Sequence, residues 1–539
     1  MMTERELFID TSYEFTRTKA YKKLKKLAGH LCDLTDRAFM KPERLKRMVA
    51  KGCGFKLLYG TEAVTEEVME QLGALALEAR VIEKMEALQA GETINFIDGY
   101  PSEQRSVLHT AVRDFFDSPN PQPKAAEARE EALQEYKKLE NFIAGLDAQN
   151  RFTDMVCIGI GGSELGPKML YNALKAFSKP NRRVHFISNV DPDDAASVLD
   201  ALDLNSTLVM AVSKSGTTLE TRTNEELARA RYRKAGLKPE EHFIAATGKG
   251  SPMDDLKAYR AAFYMWDWIG GRYCGTSMVG GVMLAFAFGM EVYHELLRGA
   301  NAMDKLALKR EVGSNLPLLL ALLGIWNRDF LGVPTLAVIP YSSALSRFSA
   351  HIQQLDMESN GKHIDRHGER VDYPTGPIIW GEPATNAQHS FFQLVHQGTD
   401  TIALEFIGFQ KSQRGEDLEV EGTTSQEKLV ANLLAQALAL AMGQGSDNPN
   451  KEFLGNRPSS ILLAKRLDAY TAGALLALYE HKVAFQGFIW NINSFDQEGV
   501  QLGKVLAKEL LGRIAARKSG GGGEANPLGD TLLDQLDTL

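Results

Sequence analysis

Little in this chain would commit it to a cross-linked or metal-bound architecture. Four cysteines occur in 539 residues, Cys32, Cys53, Cys157 and Cys274, and none stands at a paired spacing, so neither a disulfide framework nor a zinc site is indicated. A reducing compartment fits that pattern. Long hydrophobic runs are missing too: the greasiest stretch, LPLLLALLGIW from Leu316, falls well short of the ~18 apolar residues that a membrane span needs. Basic residues are not in excess, because the net charge is −8, which argues against nucleic-acid or membrane-surface partners and leaves any anion site to local positive groups. The opening MMTERELFID has no basic-then-apolar leader, so the expected location is the cytoplasm.

The nucleotide-binding fingerprints are absent as well. In TDMVCIGIGGSELGPKML from Thr153, the third glycine slot of G-x-G-x-x-G holds Glu164, whose carboxylate would repel a pyrophosphate. Gly161 and Gly166 have P-loop spacing, but Pro167 occupies the lysine slot and Lys168 the hydroxyl slot. What remains is an apolar run, a glycine-rich turn and a helix whose buried side is Leu170, Ala173, Leu174 and Phe177. Such a turn offers backbone N–H groups and a helix N-terminus to an anion, most often phosphate. An ordinary Gly-rich connection explains this stretch equally well when it is taken alone.

The chain is longer than one core usually supports, so two domains with elaborations are expected. Residues up to 116 read as mainly helical, and SPNPQP from Ser118 packs prolines into a boundary. Beyond it, apolar runs end in hydroxyl-rich turns at Met155 to Ser163, Leu208 to Thr218 and Thr335 to Ser346. That alternation predicts parallel sheets covered by helices, with ligands at the carboxyl ends of the strands. The expectation is an α/β fold of two doubly wound, three-layer domains at 118–300 and 301–512, with a helical extension at 1–117. A Gly-rich linker, KSGGGGEANP, and a leucine-striped tail of Leu528, Leu532, Leu533 and Leu536 fill 513–539.

The turn after LVMAV is the richest in donors: Ser213, Lys214, Ser215, Gly216, Thr217 and Thr218 lead into a helix. Few groups other than phosphate use so many donors at once, although a cluster of N-capping hydroxyls looks similar. The pattern strand-S-x-S-G-x-T-helix resembles the sugar isomerase (SIS) domain, a phosphosugar-binding module, which implies SIS-type folding for both domains.

Further stretches carry reactive side chains. SALSRFSAHIQQLDMESNGK reads as one helix, with Leu345, Phe348, Ile352 and Leu355 at core spacing, Gln354 and Glu358 on a neighbouring face, and Gly361 as C-cap. Glu358 is a candidate proton acceptor there; alone it would read as a solvated glutamate. GEPATNAQHSFFQLVHQGT reads as a helix capped near Asn386 and closed by Gly398. His389 then lies in the first turn, where the dipole favours neutral imidazole. Arg272 follows Gly270 and Gly271 and could stabilise an oxyanion without losing its proton. Lys504, with Gln497 before its helix, has the plain reading of a snorkelling surface residue.

GIGGSELGP, SKSGTTLET, QLDMESNGK, GEPATNAQHSFFQLVHQGT and NSFDQEGVQLGK, in this order, resemble the glucose-6-phosphate isomerase family over about residues 90 to 510, including VLHTAVR around His109. Ser215-Gly216 stands where many relatives have threonine and phenylalanine, and Ala384 and Ala387 stand where the family usually has glycine. The resemblance implies aldose–ketose isomerisation of glucose 6-phosphate and fructose 6-phosphate. Ser163, Ser213, Lys214, Ser215 and Thr218 would hold the phosphate, with Gly162 and Thr217 completing the turns and Gly271 giving close backbone approach. His389 and Lys504 would serve ring opening, Glu358 would carry the proton between C2 and C1, Arg272 would stabilise the enediolate, and Gln354 and Gln497 would orient hydroxyls. It further implies no metal, no cofactor, and a homodimer in which His389 completes the partner's site. A catalytically silent phosphosugar sensor would need only the Ser213 turn. A phosphomannose or dual-specificity isomerase would share all these residues, because the C2 hydroxyl differs only in orientation.

Overall fold

The computed structural model describes residues 7–10, 12–519 and 526–536. The chain forms two compact units, Met1–Ser494 and Phe495–Leu539. In the first, strands β1 (Val49–Gly52) and β2 (Phe55–Leu58) make an antiparallel hairpin. A second hairpin pairs β3 (Thr93–Asn95) with β4 (Arg105–Ser106). Helix α1 (Pro123–Gln149) starts on the last proline of the SPNPQP stretch, which stands in its first turn, where a missing N–H costs nothing.

There follow β5 (Asp154–Ile158), α2 (Leu165–Leu174), β6 (Arg183–Ile187), β7 (Thr207–Ser213), α3 (Leu219–Lys234), β8 (Phe243–Thr247) and β9 (Ala261–Tyr264). These strands form a five-stranded sheet in the order β6-β5-β7-β8-β9, parallel throughout. β5, β7 and β8 are buried at every residue, as continuous apolar runs covered on both faces must be. The chain winds one way from β5 to β6 and the other way to β7. A crevice therefore opens at the carboxyl ends of β5 and β7, where ligands bind in such sheets.

Next come helices α4 (Met290–Leu306) and α5 (Leu316–Ile325), strands β10 (Thr335–Pro340), β11 (Ile378–Trp380) and β12 (Ala403–Phe409), helix α6 (Ser425–Met442), β13 (Ser459–Ala464) and helix α7 (Ala469–Ile489). The second sheet has six strands in the order β1-β2-β13-β12-β10-β11. Its β10, β11, β12 and β13 run parallel, and β2 joins antiparallel to β13. The order reverses again at β10, whose end leads into the Glu358 helix. The two doubly wound sheets fit the α/β expectation. The N-terminal segment is less helical than the sequence suggested, because β1 and β2 leave it to extend the second sheet. Their signal was short: Phe55, Lys56 and Leu57 alternate buried, exposed, buried.

The apolar run from Leu316 becomes α5, buried in the core; among the described residues no helix is long and apolar enough to cross a membrane. α7 is buried along almost its whole length and packs on α4 with unusual closeness. A Cβ on Gly473 would lie 1.9 Å from the Leu296 carbonyl oxygen, and one on Gly299 would lie 1.9 Å from that of Tyr470. In the second unit, α8 (Gln501–Ser519) and α9 (Pro527–Leu536) are joined by the ion pair of Arg513 and Asp530 and by Asn526 donating to Glu509 at 2.7 Å. The tail is thus helical, with Leu528, Leu532 and Leu536 exposed. Residues 520–525 of the expected linker lie outside the described residues.

The reciprocal glycines set the spacing of α4 and α7. Gly473→Ala is expected to force the helix backbones apart, an overpacking cost of about 1–3 kcal/mol, and to lower Tm by roughly 1–3 °C in a chain of this length. Thermal unfolding followed by circular dichroism checks this, and an unchanged Tm would show that the contact yields freely.

Candidate active site

Three turns at the carboxyl edge of the first sheet build one side of the site. After β5, Gly161 has φ +60 and starts a short 3-10 turn, Gly161–Ser163, ahead of α2. A Cβ on Gly162 would lie 2.2 Å from the Gly271 carbonyl oxygen, so only glycine lets this turn press against the third one. Ser163 is half-buried at its end.

After β7, the hydroxyls of Ser213 and Thr218 share a hydrogen bond at 2.9 Å. Thr217 donates its backbone N–H and directs its hydroxyl to Ser215 Oγ, at 3.2 and 2.9 Å. Gly216 between them has φ +67, a conformation that glycine adopts without strain. Thr218 is the N-cap residue of α3, and its side chain makes no cap bond. Lys214 reaches the third turn, donating from Nζ to the Ile269 carbonyl at 3.1 Å. Burial, and next the nearby Arg105 guanidinium, lower its pKa. These turns therefore present hydroxyls, an ammonium and the start of a sixteen-residue helix on one edge, which suits an anion.

The third turn, Gly271–Tyr273, carries Arg272. Its guanidinium is 1% exposed and finds its partners inside the protein. Nε donates to Ser359 Oγ at 2.6 Å, Nη2 to the Ser494 carbonyl at 2.6 Å, and Nη1 to Glu358 Oε1 at 3.3 Å. Glu358 remains 24% exposed, so its carboxylate is reachable from solvent.

Glu358 sits differently from the sequence expectation. The chain is α-helical only over Phe348–Ile352 and widens into a π turn over Gln353–Glu358, a local irregularity frequent at functional sites. Gln354 lies on the same turn, and a Cβ on Gly161 would be 3.4 Å from its Nε2. The turn thus lies against the glycine-rich loop of the other sheet. Gly361 follows the helix end as expected, but through a close approach: a Cβ there would meet the Met357 carbonyl oxygen at 2.4 Å.

The structure thus brings Gly162, Gly271, Arg272, Gln354, Glu358 and the Lys214 turn to one place. His389 corrects the sequence reading. Its segment is broken into a 3-10 turn, Asn386–His389, and a six-residue helix, Phe392–Gln397. His389 ends the first piece instead of opening the second, and no side chain caps either, so the helix-dipole argument for neutral imidazole lapses. Gly398 still terminates the helix. His389 is exposed, and its side chain makes no hydrogen bond among the described residues. Gln497 and Lys504 belong to the second unit: Gln497 precedes the 3-10 turn Glu498–Val500, and Lys504 is exposed on α8.

The sequence reading missed Ser359, Tyr273 and Ser494. Ser359 is adjacent to Glu358 within QLDMESNGK, so its hydroxyl was a visible signal. Ser494 acts through a backbone carbonyl 222 positions from Arg272, for which no local pattern exists.

The phosphoglucose isomerase family model matches residues 58–526. A relative from Protochlamydia amoebophila, named glucose-6-phosphate isomerase, is 57% identical over 97% of both chains. Another of that name, from Desulfotalea psychrophila, is 51% identical over 93% of this chain and 95% of its own. The crystal structure of a glucose-6-phosphate isomerase from Chlamydia trachomatis superposes with a TM-score of 0.94 at 48% identity, covering 98% of this chain and 100% of that one. Sequence and fold agree over nearly the whole length, and the chain belongs to the phosphoglucose isomerase family.

Proposed function

We propose that this chain catalyses the reversible interconversion of glucose 6-phosphate and fructose 6-phosphate, a step of glycolysis and gluconeogenesis. The observation that carries the chemistry is the contact of the buried Arg272 guanidinium with the solvent-accessible Glu358 carboxylate, beside turns suited to phosphate. Ser163, Ser213, Lys214, Ser215 and Thr218 hold the phosphate in this reading, with Gly162, Thr217 and Gly271 shaping the turns. That anchorage fixes C1 and C2 of the open sugar near Glu358. The carboxylate takes the proton from C2 of the aldose as the C1 carbonyl becomes an enediolate oxygen, and returns a proton to C1 as the C2 hydroxyl gives its proton up to the C1 oxygen and becomes the ketose carbonyl. Arg272 stabilises the enediolate charge, and its own proton stays in place because guanidinium is not deprotonated in proteins. Gln354 and Gln497 orient hydroxyls, and His389 and Lys504 move protons in ring opening.

His389 is assigned to the site of a second copy. Its exposure and its side chain's lack of a hydrogen bond among the described residues favour that reading, as does the family resemblance. The working form is then a homodimer, and the location we propose is the cytoplasm.

A coupled assay of ketose formation tests the activity. Glu358→Gln keeps shape and loses the base, so kcat is expected to fall ~100-fold or more while binding survives; full turnover would restore the phosphosugar-sensor reading. Ser213→Asp places a carboxylate at the phosphate turn and is expected to abolish fructose 6-phosphate binding in calorimetry. Unchanged affinity would move the anion elsewhere. Mixing Glu358→Gln with His389→Ala subunits after joint refolding tests the shared site. If His389 is donated, the mixed dimers hold one intact site, and activity recovers to roughly a quarter of the wild-type level. No recovery would place His389 in its own chain's site.

A further inference from the structure

We infer that Ser359 and Tyr273 form a positioning pair that holds the Arg272 guanidinium back from the Glu358 carboxylate, so that Glu358 keeps a free lone pair. The inference rests on the reading of Glu358 as the base.

An unrestrained arginine and carboxylate close to two parallel hydrogen bonds of ~2.7–2.9 Å. Here Nη1 approaches Glu358 Oε1 only to 3.3 Å, whereas the bonds from Arg272 to Ser359 Oγ and to the Ser494 carbonyl are both 2.6 Å. The tighter bonds fix Nε and Nη2, and the remaining edge of the fork cannot rotate onto the carboxylate. Arginine only donates, so Ser359 Oγ is the acceptor from Nε. Ser359 and Tyr273 then share a second hydrogen bond at 3.2 Å.

Tyr273 is itself braced. His109 stacks on its ring with centroids 4.6 Å apart and planes at 28°, and both residues are buried. Behind His109, Glu480 accepts from Arg113 Nη2 at 2.7 Å, and Arg113 grips Asp304 through Nε and Nη2 at 2.8 and 2.7 Å. The Tyr273 hydroxyl is therefore presented from a fixed ring.

A closed ion pair would defeat the base. It would occupy the oxygens that must accept the C2 proton, whereas one loose contact leaves a carboxylate oxygen open to the substrate and the cation poised for the enediolate. Several titratable groups on and around the Gln353–Glu358 turn have partners or environments of their own. Tyr479 and Lys482 bind Glu405, Glu480 binds Arg113, and His481 binds Asp304 at 2.7 Å. His351 is buried and pushed down to about 4 by burial. Buried Asp356, on the turn itself, is pushed up to about 7 by burial. Lys362 donates from Nζ to the Glu358 backbone carbonyl at 2.6 Å.

The test is the pH profile of kcat for Ser359→Ala, Tyr273→Phe and the double variant, with near-ultraviolet circular dichroism to establish folding. Ser359→Ala should lower kcat roughly 10–100-fold and leave KM within about threefold, because the phosphate turns are untouched. The acid limb should move to lower pH by about one unit as the guanidinium closes on Glu358. Tyr273→Phe keeps the stacked ring and should show the same shift in smaller degree; it also carries the test if the serine variant does not fold. The double variant should fall short of the sum of the two single effects, since the Tyr273 hydroxyl bonds both Ser359 and the Arg272 side chain and the two substitutions disturb one network. Lost activity with an unmoved acid limb, or an additive double variant, would overturn the inference while leaving Glu358 as base. Wild-type turnover in Glu358→Gln would instead remove the reading on which it rests.

Discussion

A guanidinium that is 1% exposed must find its hydrogen bonds inside the protein, because a buried charge without partners costs several kcal/mol. Arg272 meets that demand with groups from separate parts of the chain. It starts from a turn after the first sheet and donates to Ser359 and Glu358, which follow a strand of the second sheet. It also donates to Ser494 at the end of the long buried helix region. Satisfying one cation thus fixes the relation between a base on one sheet and the phosphate turns of the other.

The architecture serves this junction from both sides. Parallel sheets that reverse direction at β5/β7 and at β10/β12 open their crevices at strand ends, so the reactive loops have a common address. Glycine at 162 allows the first and third turns to touch through backbone, 2.2 Å from where a Cβ would collide. The stiffness behind the junction comes from the buried Arg113, Asp304, Glu480 and His481 cluster, in which each acid has a hydrogen-bonded cation or imidazole. Such clusters are worth little as net stability but are strongly destabilising when one partner is removed. Their consequence here is a fixed ring at Tyr273.

How much of this the sequence disclosed depended on the range of the interactions. The central strands were legible because LVMAV and MVCI can be buried on both faces only in a covered parallel sheet. The phosphate turns were legible because their chemistry is local: hydroxyls, glycine and a helix start within a few residues. The hairpin at Val49–Leu58 was hidden by its shortness. The break after His389 was hidden because Ala387, Phe392 and Val395 are all buried in one core, so their spacing read as an unbroken helix. The π turn at Gln353–Glu358 had no compositional mark. The partners of Arg272 were beyond reach, since a contact across 222 positions is decided by the fold and leaves nothing in the neighbouring letters.

The central claim is that Glu358 moves a proton between C2 and C1 with Arg272 holding the intermediate's charge. Incubation with glucose 6-phosphate in D2O, followed at C1 and C2 by NMR, tests it most directly. A carboxylate that exchanges its proton with solvent predicts deuterium at C1 of the fructose 6-phosphate as it forms, and at C2 of the glucose 6-phosphate recovered by reversal. Ketose formation over many turnovers with no deuterium at either carbon would mean direct hydride transfer and would contradict the account.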